Sequence, residues 1–185
     1  HAGYVYSGAT AAAAYRLLEG RHAAIRRVVL LGPTHRVAVR GLALPNVDIF
    51  ETPLGGVPVD TELAARIERL PQVVGSRAAH AAEHSLEVQL PFLQRVIGEF
   101  SLLPLAVGMV RPEDVAEAID AVWGGAETLI VVSTDLSHFH PYREARELDS
   151  ATVADVLALR GDIDHEHACG ATPLNGLLLS RDVAG

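Results

Sequence analysis

Three short apolar runs set the strongest constraint on this chain: residues 25–31 (IRRVVLL), 101–107 (SLLPLAV) and 128–132 (TLIVV). Each is too short for a stable helix, rich in Val, Ile and Leu, and apolar almost throughout instead of alternating, which reads as a strand buried on both faces. Helical patterns lie between and around them. Residues 9–19 are Ala-rich and stop at Gly20, Asp60 caps a helix over 60–70, and residues 112–123 carry Pro112, Glu113 and Asp114 in the first turn. Residues 83–97 place Leu86, Leu90, Leu93 and Ile97 on one face, with a kink or restart expected at Pro91. Further helices are expected over 143–159 and 172–179, and residues 41–59 read as an irregular β-excursion broken by turns. Strands alternating with helices predict an α/β fold, a largely parallel sheet covered on both faces.

Composition narrows the partners. A chain of 185 residues with 49% hydrophobic and 21% charged residues fits a single domain spanning 1–185. The net charge of -8, with no Lys/Arg-rich run, argues against nucleic-acid or anionic-membrane surfaces, so small-molecule or peptide ligands are expected. Cys169 is the only cysteine, which excludes an intramolecular disulfide and fits a reducing, cytoplasmic location. No apolar run approaches the ~20 residues of a membrane-spanning helix.

Ligands of parallel α/β sheets sit beyond the carboxyl ends of the strands. LGPTH (31–35) places His35 just past the first strand, and STDLSH (133–138) places Asp135 and His138 just past the last. Two distant loops can therefore converge on one rim. His138 is a candidate general acid/base oriented by Asp135, although Asp135 can equally cap a turn through backbone amides. His1 opens HAGYVYSG, where Gly3 and Gly8 permit close backbone approach. Cys169, between Ala168 and Gly170 ahead of a helix, can be an inert buried thiol, a metal ligand or a nucleophile paired with a histidine. Glu83 and Glu87 flank His84 at a helix start, where carboxylates favour the positive end and can also edge a site. In an extended loop His165, His167 and Cys169 would share a face, a local metal site that competes with a solvated acidic loop.

HAGYVYSG, LGPTH, EHSLEVQLPFL, STDLSHF and ACGATP, in this order and across nearly the whole chain, resemble the Memo-like family, protein B of the AmmeMemoRadiSam system. That family is similar in fold to the class III extradiol dioxygenases, non-haem iron enzymes. The resemblance implies a three-layer α/β/α sandwich with a metal pocket at the sheet rim. It implies His1, His35 and Cys169 as metal ligands and Asp135 and His138 as the catalytic acid and histidine. Iron is the metal expected, with copper or zinc as alternatives, because a thiolate in place of the dioxygenases' carboxylate favours softer metals. The function implied is redox or dioxygenase-related chemistry by a metal-dependent oxidoreductase. A non-catalytic peptide- or protein-binding module is the alternative, and a Cys169/His138 hydrolase a weaker one. An Ammecr-like protein and a radical-SAM enzyme are the partners implied by association. Against the family pattern, the strand before His1 and the segment after the last helix are missing, so a domain truncated at both ends is expected.

Overall fold

The computed structural model describes residues 1–184. Among the described residues seven strands form: β1 (Arg27–Pro33), β2 (Leu42–Leu44), β3 (Ile49–Thr52), β4 (Gly55–Pro58), β5 (Val73–Gly75), β6 (Ser101–Val107) and β7 (Thr128–Val132). The helices are α1 (Tyr4–Arg16), α2 (Thr61–Ile67), α3 (Arg77–Ala81), α4 (His84–Glu87), α5 (Leu90–Ile97), α6 (Pro112–Val122), α7 (Tyr142–Leu157), α8 (Ala171–Leu179) and α9 (Arg181–Ala184). Five strands make one sheet in the order β5-β2-β6-β1-β7, and β3 with β4 makes a separate hairpin. β1 runs parallel to both β6 and β7, β2 runs parallel to β5, and within this five-stranded sheet only the β2–β6 pair is antiparallel. The expected largely parallel α/β sandwich is what forms.

Alternation along the central strands builds two cores. Val28 and Leu30 of β1, with Leu102 and Ala106 of β6, pack with Leu86, Leu90, Leu93 and Tyr15 on one face. Val29 and Leu31, with Leu103, Leu105 and Val107, pack with Leu63, Ile67, Val115 and Ile119 on the other. Both faces are covered, as continuous apolar strands require.

Several local expectations shift. The first helix begins at Tyr4, so most of HAGYVYSG is helical and only His1 to Gly3 precede it. Residues 83–97 break into α4 and α5, because Pro91 in the first turn of α5 has no N–H to continue a preceding helix. β7 is half-buried instead of buried, since it lies at the sheet edge. Part of the irregular 41–59 stretch joins the main sheet as β2, and β5 and α3 are short elements that sequence pattern did not indicate.

Two close approaches position the rim. Gly176 of α8 faces Val115 of α6 so tightly that a Cβ on it would lie 2.5 Å from the valine Cβ. On the opposite face Gly32 admits α4, where a Cβ would lie 2.9 Å from both Leu86 Cδ2 and Ser85 Oγ. Ser85 Oγ donates to the Pro33 carbonyl at 2.8 Å, pinning α4 to the end of β1. Glu83 caps α4, accepting at 3.0 Å from the backbone N–H groups of His84 and Ser85. It also accepts from the His35 backbone N–H and, at 3.0 Å, from His35 Nδ1. Burial alone would raise the pKa of this carboxyl, but these donors outweigh it and bring it from its ordinary 4.5 down to about 2.

Gly32→Ala is expected to cost about 1–3 kcal/mol in urea denaturation, by forcing α4 off β1. Glu83→Gln is expected to cost roughly 2–3 kcal/mol near neutral pH, since one acceptor oxygen is replaced by a donor facing backbone N–H groups. Because the folded pKa of Glu83 is depressed, its contribution is complete above about pH 4.5 and is lost as pH falls toward 2. The gap in melting temperature between wild type and Glu83→Gln should therefore stay constant from pH 5 to 7 and narrow below it; a gap independent of acid pH would contradict this assignment.

Candidate metal centre

β1 and β7 are adjacent and parallel, with Leu31 opposite Val132, so their following loops leave the sheet side by side. Ser133 N–H donates to the Leu31 carbonyl at 2.8 Å, and Thr34 N–H to the Val107 carbonyl at 3.0 Å, which continues the ladder into both loops. His35 therefore emerges next to Ser133, Thr134 and Asp135.

The third segment docks on the second. Cys169 N–H donates to the Asp135 carbonyl at 3.2 Å and Gly170 N–H to Thr134 Oγ1 at 2.8 Å. Cys169 Sγ in turn accepts from the Asp135 N–H at 3.3 Å. A small core of Ile163, Ala168, Ala171, Leu174 and Leu178 backs this segment.

His1 closes the group from the start of α1. Its backbone nitrogen donates to Asp135 Oδ1, a contact that either an amine or a peptide N–H can make. Its ring is buried, with Nδ1 2.9 Å from Ser133 Oγ and Nε2 3.3 Å from Cys169 Sγ. Its ring centroid lies 5.2 Å from that of His35.

Ligand atoms of His1, His35 and Cys169 all lie within 4.8 Å of one another, so the structure brings together the three residues named as ligands. Metal–nitrogen bonds of about 2.1 Å and metal–sulfur bonds of about 2.3 Å at a tetrahedral angle separate N and S by about 3.6 Å. The 3.3 Å between His1 Nε2 and Cys169 Sγ fits that geometry. His35 fits as well. A carboxylate held ionised can only accept, so His35 Nδ1 must carry the hydrogen, leaving the Nε2 lone pair for an ion.

Asp135 and His138 form a second group with Cys169, again with ligand atoms within 4.8 Å. Asp135 is taken up by the His1 backbone, whereas His138 is exposed at the rim beside Phe139. The imidazole in hydrogen-bond range of the thiol is that of His1. His165 instead pairs with Thr172 Oγ1 at 2.9 Å, and neither it nor His167 joins a metal-capable group among the described residues.

Sequence reading flagged Glu83 and His84 only as edge residues. His84 in fact stacks on His35 at 6.0 Å between centroids, with Nδ1 3.2 Å from the His1 carbonyl oxygen. Ser133 and Gln89 were missed. Gln89 carried a readable signal, being a polar residue three positions after Leu86 and four before Leu93, on the stripe that is buried.

A cavity of about 500 Å3 opens onto His35 and Cys169. Val37, Val39, Met109 and Pro173 form its apolar wall, Arg36 brings a positive charge, and among the described residues no carboxylate lines it.

A model of the family described as Memo-like protein matches residues 1–167. A MEMO1 family protein of Aquifex aeolicus is 41% identical over 158 residues, covering 83% of this chain and 58% of the relative. One of Archaeoglobus fulgidus is 36% identical over 169 residues, covering 86% and 60%. One of Methanothermobacter thermautotrophicus is 32% identical over 198 residues, covering 100% and 71%. The chain thus spans 58% and 60% of the length of the first two relatives. The crystal structure of an uncharacterized Escherichia coli K12 protein superposes with a TM-score of 0.64 over 93% of this chain and 82% of its own, at 15% identity, a likeness of fold. With a family match reaching from His1 to residue 167 and relatives above 30% identity across most of its length, this chain belongs to the Memo-like family.

Proposed function

We propose that this protein holds a single redox-active ion, iron or copper, through His1 Nε2, His35 Nε2 and Cys169 Sγ, and uses it on a small-molecule substrate in the cytoplasm. The observation that carries this reading is the convergence of two imidazoles and a thiol from three distant segments within 4.8 Å. The donor set suits it, because a thiolate with two imidazoles prefers iron, copper or zinc over magnesium or calcium. Iron or copper held there would supply Lewis-acid and one-electron chemistry.

The chain's own residues supply the rest. Glu83 orients His35, and the Asp135 N–H donates to Cys169 Sγ, a bond that a metal-bound thiolate would accept. His138, exposed at the rim and within reach of the Asp135 carboxylate, is placed to exchange a proton with a substrate. The cavity beside His35 and Cys169 admits a substrate with an apolar body, and the Arg36 charge in its lining favours one that is neutral or anionic. An Ammecr-like protein and a radical-SAM enzyme are the proposed functional associates.

A second reading, a peptide- or protein-binding module using the same pocket without turnover, is favoured by one observation. Met109 at the cavity wall is 65% exposed, as an adaptable apolar contact would be.

Elemental analysis of protein purified anaerobically should find near-stoichiometric iron or copper, lost in both His35→Ala and Cys169→Ala. His138→Ala should keep the metal while losing oxygen-dependent turnover. A metal-free parent would overturn the ligand assignment and leave the binding module as the better reading.

A further inference from the structure

Behind His1, on the side away from Cys169, three buried side chains form a single hydrogen-bonded line. Tyr15 O–H donates to Gln89 Oε1 at 3.0 Å, Gln89 Nε2 donates to Ser133 Oγ at 2.8 Å, and Ser133 Oγ meets His1 Nδ1 at 2.9 Å. Tyr15, Gln89 and Ser133 are 8%, 7% and 3% exposed, so the line is largely shielded from bulk solvent. The three line a separate cavity of about 420 Å3 that shares only His1 with the ligand group.

The direction of the line follows from donor and acceptor chemistry. Burial raises the Tyr15 pKa well above its ordinary value, so its hydroxyl stays a donor. An amide oxygen only accepts, so Tyr15 fixes which end of the Gln89 amide faces it and turns Nε2 toward Ser133. Gln89 is the N-cap residue of α5, yet its side chain makes no capping bond and is free for this task.

The line matters because His1 offers Nε2 to an ion only when Nδ1 carries the ring hydrogen and finds an acceptor. With the hydrogen on Nδ1, Ser133 Oγ at 2.9 Å is the acceptor for it. A lone serine hydroxyl rotates freely about its Cβ–Oγ bond and its χ1, whereas one held by an oriented amide does not.

Resting on the metal-binding reading above, we propose that Gln89, itself oriented by Tyr15, is a positioning residue for the metal centre, holding Ser133 Oγ where it accepts the Nδ1–H of His1 and aims Nε2 at the ion. It touches neither ion nor substrate and acts through Ser133.

The test is zinc affinity, by competition with a chromogenic chelator, together with the 15N shifts of the His1 ring and the melting temperature. Gln89→Met, similar in length but without an amide, should bind zinc tenfold or more weakly and lose the Nδ1–H signature in the zinc form. Tyr15→Phe, which removes only the far hydroxyl, should weaken binding a few-fold. Gln89→Glu should retain affinity within a few-fold, because a carboxylate still accepts from Tyr15 and can hold Ser133 by accepting its O–H. A purely structural role for Gln89 would lower the melting temperature of Gln89→Met and leave its zinc affinity unchanged, which overturns the proposal alone. Equal losses in Gln89→Met and Gln89→Glu would also overturn it. A wild-type protein that binds no zinc would overturn the metal reading and this inference with it.

Discussion

The rim of this molecule depends on one buried carboxylate. Glu83 accepts from His35, His84 and Ser85, so a single charge ends β1's loop, starts α4 and orients a ring that faces the metal-capable group. A buried carboxylate without such donors would be costly, and each donor here would be an unsatisfied N–H without the carboxylate. The local fold and the geometry of the site are therefore one arrangement. Removing the charge costs stability and ligand orientation together.

The rest of the site follows from strand adjacency. Because β1 and β7 are parallel neighbours, the chain needs no special device to bring residues 33–35 beside residues 133–135. The EHSLEVQLPFL segment then supports both imidazoles from one side, Glu83 engaging His35 and Gln89 reaching His1 through Ser133. Glu83 stands at the start of α4 and Gln89 at the break between α4 and α5, so one segment serves two different histidines.

Much of this was legible in the sequence, for identifiable reasons. The central strands and α6 announce themselves through continuous apolar runs and a first-turn proline, signals that need no knowledge of the partner element. His35 was legible at the rim from its place just past the first strand, whereas the grouping of His1, His35 and Cys169 was legible only through motif resemblance, since nothing in their separation along the chain says that they meet. Ser133 was opaque, and Gln89 was legible only as a polar residue on a buried stripe, because the role of both lies in hydrogen bonds to residues far away in sequence. β2, β5 and α3 were opaque because elements of three to five residues carry too little periodicity to stand out. The half-burial of β7 depends on its rank in the sheet, which no local pattern encodes.

Gly176 gives the centre a remote dependence. α8 begins two residues after Cys169 and is seated against α6 by the close approach of Gly176 to Val115. A helix is stiff over this length, so it behaves as a lever with its fulcrum at that contact and the thiol just past its far end. A single methyl at the fulcrum would tilt the arm and swing the sulfur out of register with the two imidazoles. The tolerance of this centre to change is thus set partly at a contact between a glycine and a valine, away from the three ligand side chains.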